Sequence, residues 1–269
     1  MSLNPLPPSP SRAAPRRRVL VVGIGAGDPE HVTLGAVRAL NETDVVFLVD
    51  KGETHTDLRQ ARLDLCHRII DPRHPWRVEE VELGAVRDRG DGPYRATVAA
   101  WRAARVAAYG DLVGGLHETE TGAFLVWGDP TLYDGTLDVL AEVRAAGDVA
   151  FDVEVVPGIS SVSALAARHG VTLNRPGEPV QITTGRRLAR EGMPEGIDSV
   201  VVVLDTHEAW RQLDDDLDIW WGAFVGLPGE RLVTGRLGDQ RTTIGHERAA
   251  ARSRHGWVFD TYLLRRRAP

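Results

Sequence analysis

Residues 19–29 read VLVVGIGAGDP, and this stretch decides the fold. Four apolar residues in a row, Val19 to Val22, are stopped by Gly23. A short apolar run bounded by a turn residue reads as a strand buried on both faces. The glycines that follow let the chain turn tightly and open a helix N-terminus onto the turn. In residues 33–41, Leu34, Val37 and Leu40 recur at helical spacing, which predicts the helix and its apolar face. Strand, glycine turn and helix make the first unit of a parallel α/β layer.

Outward from this stretch the alternation continues. Strands are expected at 45–49, 77–83, 123–127, 151–156, 179–183 and 199–204. Helices are expected from a cap at Asp57 to about His67, over 93–116, over 136–146, from the Ser160/Ser161 cap to about His169, and over 208–213. After Trp220 the texture changes. Residues 223–225, 231–235 and 257–263 read as strands with little helix between them, which predicts an antiparallel C-terminal addition. A Gly/Asp/Pro-rich break near residues 129–134 divides the chain into an N-terminal α/β domain, 18–130, and a C-terminal α/β domain, 131–269. The Pro/Ser-rich residues 1–17 read as a disordered leader without the apolar core of a secretory signal.

Composition narrows the function. Of 269 residues, 42% are hydrophobic and 26% charged, which excludes a fibrous or wholly disordered chain. No apolar run nears the roughly 18 residues of a membrane span. A net charge of -6 argues against nucleic acid as a partner. The single cysteine, Cys66, allows neither an internal disulfide nor a cysteine zinc site, and a reducing cytoplasm fits it. The nine histidines form no recognised ligand spacing, so no metal is expected. Of 32 basic residues only Lys51 is a lysine; it is either a chance survivor in a solvated loop or a place that needs a compact ammonium rather than a planar guanidinium.

Three further loops could carry chemistry. WGDPTLYDGT, 127–136, leaves a strand at its carboxyl end, where open α/β sheets bind ligands; Asp129 there could cap a turn or accept a ribose hydroxyl. VVPGISS, 155–161, could be no more than a helix cap, and it lacks the glycine frame of a nucleophile elbow. GIGAGDP is not a dinucleotide fingerprint, because Asp28 stands where the third glycine belongs. The residues alone therefore leave open a non-catalytic nucleotide-binding module.

Taken in order, GIGAGDP, WGDPTLY, VPGISS and ITTGR resemble the tetrapyrrole (corrin/porphyrin) methylases, over about residues 19–265. Each motif is weak alone; four in sequence are specific. Two positions depart from the family pattern, Ala26 where proline is frequent and Trp127 where glycine is frequent. The resemblance implies two α/β domains with S-adenosylmethionine (SAM) between them, usually as a homodimer, with no metal. By motif position, SAM contacts fall on Ala26, Gly128, Asp129, Leu132, Ser160, Ser161, Leu204 and a glycine of VGLPGE, Gly226 or Gly229. VDKGETHTDL, 49–58, is similar to the branch that methylates a precorrin ring with loss of acetate; another precorrin or a uroporphyrinogen is the alternative acceptor. For that chemistry the candidates are Asp50, Lys51, Tyr133 and Asp134, with Arg186 and Arg187 for substrate carboxylates.

Overall fold

In β1 (Arg17–Gly23) successive side chains point to opposite faces and every one from Val19 onward is buried. The computed structural model describes residues 17–50, 56–83 and 94–267. Within it β1 is flanked by β4 (Thr121–Val126) and β5 (Phe151–Val156), and beyond β4 lie β2 (Val45–Asp50) and β3 (Arg77–Glu82). All four pairings are parallel. Val19 and Val21 pack with Tyr109 and Val113 of α3 (Tyr94–Gly114) and with Val139 and Leu140 of α4 (Thr136–Ala146). Leu20 and Val22 face the other way, onto Ala36 and Leu40 of α1 (Leu34–Asn41) and Cys66 of α2 (Thr56–Ile69). Helices therefore cover both faces, as an all-parallel sheet requires.

After α5 (Ser161–His169) the chain builds a second sheet. It holds β6 (Val180–Thr184), β7 (Ser199–Val203), β10 (Asp260–Arg265), β8 (Asp218–Ala223) and β9 (Arg231–Arg236), in that spatial order. Only β6 and β7 run parallel; the other three pairings are antiparallel. The same two-faced valine code operates here. Val200 and Val202 pack on Trp210, Trp221, Leu188 of α6 (Gly185–Glu191) and Ile244 of α7 (Leu237–His255), whereas Val201 and Val203 pack on Val162 and Leu165 of α5.

Several expectations need correction. Arg17, placed in the leader, opens β1 and donates from Nε to the Leu116 carbonyl at 2.7 Å. Residues 1–16, and with them the disorder expected there, lie outside the described residues. In α1 the buried face is Ala36, Ala39 and Leu40, while Leu34 is 61% exposed. Asp57 falls inside α2, which begins at Thr56, so it is not the cap. The break expected at 129–134 lies within the first layer, because α4 and β5 both belong to it; the chain crosses to the second sheet only after Val156. The antiparallel strands are no addition. They are most of the second sheet, and between β9 and β10 runs the 19-residue α7, which was not expected.

Candidate active site

Because the first sheet is parallel, the loops after β1, β2, β4 and β5 all leave from one edge. In the second sheet β10 opposes β7 and β8, so the start of β10 lies beside their ends; Asp260 stands across from Ala223. These edges enclose a cavity of about 410 Å³, a size suited to a small-molecule ligand.

Glycines fix the loops against each other. Gly25 and Gly128 form a two-bond antiparallel bridge, with Gly128 N–H donating to the Gly25 carbonyl at 2.7 Å and Gly25 N–H to the Gly128 carbonyl at 3.3 Å. A methyl group on Gly23 would lie 2.6 Å from Gly158 N, and one on Gly158 would strike the Gly128 carbonyl oxygen and lie 2.8 Å from Gly23 Cα. GIGAGDP, WGDPTLY and VPGISS thus meet backbone to backbone. Gly27 extends the contact to the second half: its missing side chain leaves the space held by Leu227, and a methyl on Gly226 would lie 2.8 Å from Asp28 N.

Asp129 ties two of these loops. Its Oδ1 accepts from the Thr131 N–H at 2.8 Å and from the Thr131 hydroxyl, and its Oδ2 accepts from Gly158 N–H at 2.9 Å. Burial works to raise its carboxyl, but the Thr131 and Gly158 donors together outweigh it and hold the pKa below the usual range. Ser160 caps α5, its Oγ accepting from Ser163 N–H at 3.3 Å, and the Ser161 hydroxyl meets that of Thr261 at 3.3 Å across the halves. Asp134 Oδ1 accepts from Thr136 N–H at 2.8 Å, and Tyr133 donates its hydroxyl to the Ile182 carbonyl at 2.9 Å. Tyr133, Leu204 and Phe224, all on the cavity wall, have φ of 54°, 53° and 52°. Left-handed backbone at non-glycine residues costs roughly 1–3 kcal/mol each and concentrates where a site needs a particular shape.

Behind the second-sheet wall lies a buried charge cluster. Arg248 donates from Nε to Asp260 at 2.9 Å, from Nη1 to Glu208 at 2.9 Å and from Nη2 to the Asp205 carbonyl at 2.7 Å. Trp221 Nε1–H donates to Asp260 at 3.1 Å, and the Tyr262 hydroxyl to Asp205 at 2.6 Å. Burial pushes the Asp260 carboxyl up to about 6, although Arg248 and Trp221 oppose the shift. Asp205 and Asp260 reach the cavity, where Asp129 and Asp134 add two more carboxyls. Among the described residues no group of three or more His, Cys, Asp or Glu is placed to hold a metal ion, and no helix is long and apolar enough to cross a membrane.

Of the expected site residues, Ala26, Gly128, Asp129, Leu132, Tyr133, Asp134, Ser160, Ser161 and Leu204 line this one cavity. Gly226 and Gly229 are not on its wall; that loop contributes Val225 and Leu227 instead. Arg186 and Arg187 are exposed on the first turn of α6 and off the wall, Arg187 pairing with Glu191 at 2.6 Å. Asp50 ends β2 at the cavity's edge of the sheet, and Lys51 lies outside the described residues. The guanidiniums on the wall are Arg62 and Arg105, neither of which the motifs marked. A signal was present: Trp101, Arg105 and Tyr109 recur every fourth residue along one face of α3.

Residues 18–240 match the family model described as Tetrapyrrole (Corrin/Porphyrin) Methylases. A relative from Sinorhizobium sp, precorrin-6A synthase [deacetylating], is 43% identical over 254 residues, 94% of this chain and 96% of that one. The crystal structure of a cobalamin-synthesis-related protein, CobF, from Corynebacterium diphtheriae covers 93% of this chain and 98% of its own, with 33% identity and a TM-score of 0.78. A uroporphyrin-III C-methyltransferase from Thermus thermophilus, solved with S-adenosylhomocysteine, shares the fold at 21% identity and a TM-score of 0.52, covering 92% of this chain and 96% of its own.

Proposed function

Because the chain belongs to the tetrapyrrole methylase family, we propose that it converts precorrin-5 to precorrin-6A, taking a methyl group from SAM and releasing acetate. The observation that carries this reading is the 43% identity to the deacetylating Sinorhizobium enzyme, which extends over 94% of this chain and 96% of that one.

The residues present fit SAM. Ala26, Leu132, Leu204, Val225 and Leu227 offer an apolar wall, and Asp129 and Asp134 suit a cationic sulfonium. Bound there, SAM supplies an electrophilic methyl group. The chain's part is to orient it and keep water away, so that an electron-rich ring carbon attacks in line. Ala26, Gly128, Asp129, Leu132, Ser160, Ser161 and Leu204 are assigned to that task.

Acetate release needs a water oxygen to bond to the acetyl carbon while the bond to the ring breaks and its electron pair passes to the ring carbon. Asp134 has one oxygen occupied by Thr136 N–H, leaving Oδ2 to take the proton from water. Lys51, the next residue in sequence after Asp50, is assigned to the developing oxyanion. The hydroxyl of Tyr133 spends its proton on Ile182 and can only accept from a reactant. We further assign a cytoplasmic homodimer without a metal. The cytoplasmic assignment draws support from Cys66 being the single cysteine, which leaves no internal disulfide to form.

The test is stoichiometric. Purified protein given SAM and enzymatically prepared precorrin-5 should release one acetate for each S-adenosylhomocysteine formed. Methyl transfer without acetate would assign the chain to another precorrin or uroporphyrinogen carbon, and no transfer would refute the reading.

A further inference from the structure

We propose that Arg105 is the anchor for a carboxylate of the tetrapyrrole inside the cleft. The proposal rests on the functional reading above for its ligand, and on the structure for its site. Arg105 lies on α3, is 9% exposed and is on the cavity wall. Its Nη2 donates to the Tyr109 hydroxyl at 2.9 Å. Among the described residues its Nε is buried without a partner, and no carboxylate pairs with the guanidinium. Asp134, the nearest acid in sequence to the loop that faces it, gives its Oδ1 to Thr136 N–H instead.

A buried cation without a counter-ion is costly, and chains keep one chiefly where a ligand completes it. Here the cation is held in place by aromatic faces, with Cζ 5.2 Å from the ring centres of both Trp101 and Tyr109. Tyr109 is itself fixed by stacking on Phe124 at 4.5 Å. Gly135 leaves the far end open: a methyl there would lie 3.2 Å from Nη1. The result is a desolvated guanidinium with donor capacity unused, which matches a planar carboxylate. A ring bearing several acetate and propionate groups supplies that carboxylate, and Arg105 meets it inside the cleft, whereas Arg186 and Arg187 lie exposed and off the wall.

Arg105→Gln should raise KM for precorrin-5 by about 10- to 100-fold, the usual cost of one charge-assisted contact. Its kcat should change little, and its Kd for S-adenosylhomocysteine should stay within about twofold of wild type. Arg105→Lys should recover part of the loss. Uroporphyrin, an octacarboxylate, should bind the wild type more tightly than its octamethyl ester does, and Arg105→Gln should erase that preference. If the wild type releases no acetate from precorrin-5 but the uroporphyrin preference behaves as stated, the reaction is wrong and the anion site stands. Unchanged KM and preference overturn the proposal. So does a parallel loss of S-adenosylhomocysteine affinity, which would put Arg105 on the cofactor, and so does failure of both variants to fold, which would make the cation structural.

Discussion

Lys51 is the residue at which composition speaks most directly about chemistry. Thirty-one of the 32 basic positions are arginine, and on the role proposed above the one lysine would stand where a guanidinium does not serve. Asp50, one residue before it, ends a parallel strand on the edge that carries the other loops. Lys51→Arg should fold and bind S-adenosylhomocysteine as wild type does, yet lose turnover by roughly 30- to 1000-fold, or about 2–4 kcal/mol. Steady-state rates of methyl transfer and acetate release check this, and wild-type rates would reduce Lys51 to a surface residue. Arg105 is the complementary case. Nothing in the motifs singled it out, because what marks it is the lack of a counter-ion among the described residues, and that is a property of three dimensions.

Loops and helices differ in how far their sequences explain them. The four motifs were readable as turns at strand ends, but the reason for their glycines was not. Most of those glycines serve neighbouring backbone rather than a ligand. Gly158→Ala forces a methyl against the Gly128 carbonyl and Gly23, and overpacking of rigid backbone costs roughly 1–3 kcal/mol or more. It should lower the urea midpoint and weaken S-adenosylhomocysteine binding together. Gly147→Ala, with nothing within 4 Å and a φ of 81°, should cost only about 1 kcal/mol and leave binding intact. Equal effects from the two substitutions would remove the packing argument. The helix α7 escaped the sequence for a different reason. Its buried residues are Leu237, Ile244, Arg248 and Ala251, a narrow stripe in which one member is charged, so apolar periodicity is nearly absent. Arg186 and Arg187 stand off the cavity wall because α6 begins at Gly185, seated against Asp205, and turns both side chains outward.

The molecule joins a layer held mainly by apolar packing to one that also contains a buried network of paired charges. Arg248, Asp260, Asp205, Glu208 and Tyr262 draw together α7, β10, the end of β7 and the short turn that follows it. This cluster should leave a mark on global stability. Asp260 has a folded pKa of about 6 against 3.8 in the unfolded chain, so the folded state holds the extra proton between those values. Its contribution is fully present below about 3.8 and is lost as pH rises through about 6. Urea midpoints should therefore fall more steeply between pH 4.5 and 6.5 in wild type than in Asp260→Asn, and parallel slopes would rule the carboxyl out as the source. The two-layer architecture was inferable from alternating valines and glycine turns. The place where the layers divide was not, because β5 follows a loop that looks like a boundary and yet pairs with β1.

The spatial order β6-β7-β10-β8-β9 also bears on how the protein comes off the ribosome. The first sheet has all its strands once residue 156 has emerged, and it can fold while synthesis proceeds. The second cannot. Its middle strand is β10, so β7 and β8 leave the exit tunnel with bare hydrogen-bonding edges and stay unjoined until residues 260–265 arrive. A nascent chain from which β8 has emerged and β10 has not would present those edges to its neighbours, making this interval the one in which a chaperone matters most.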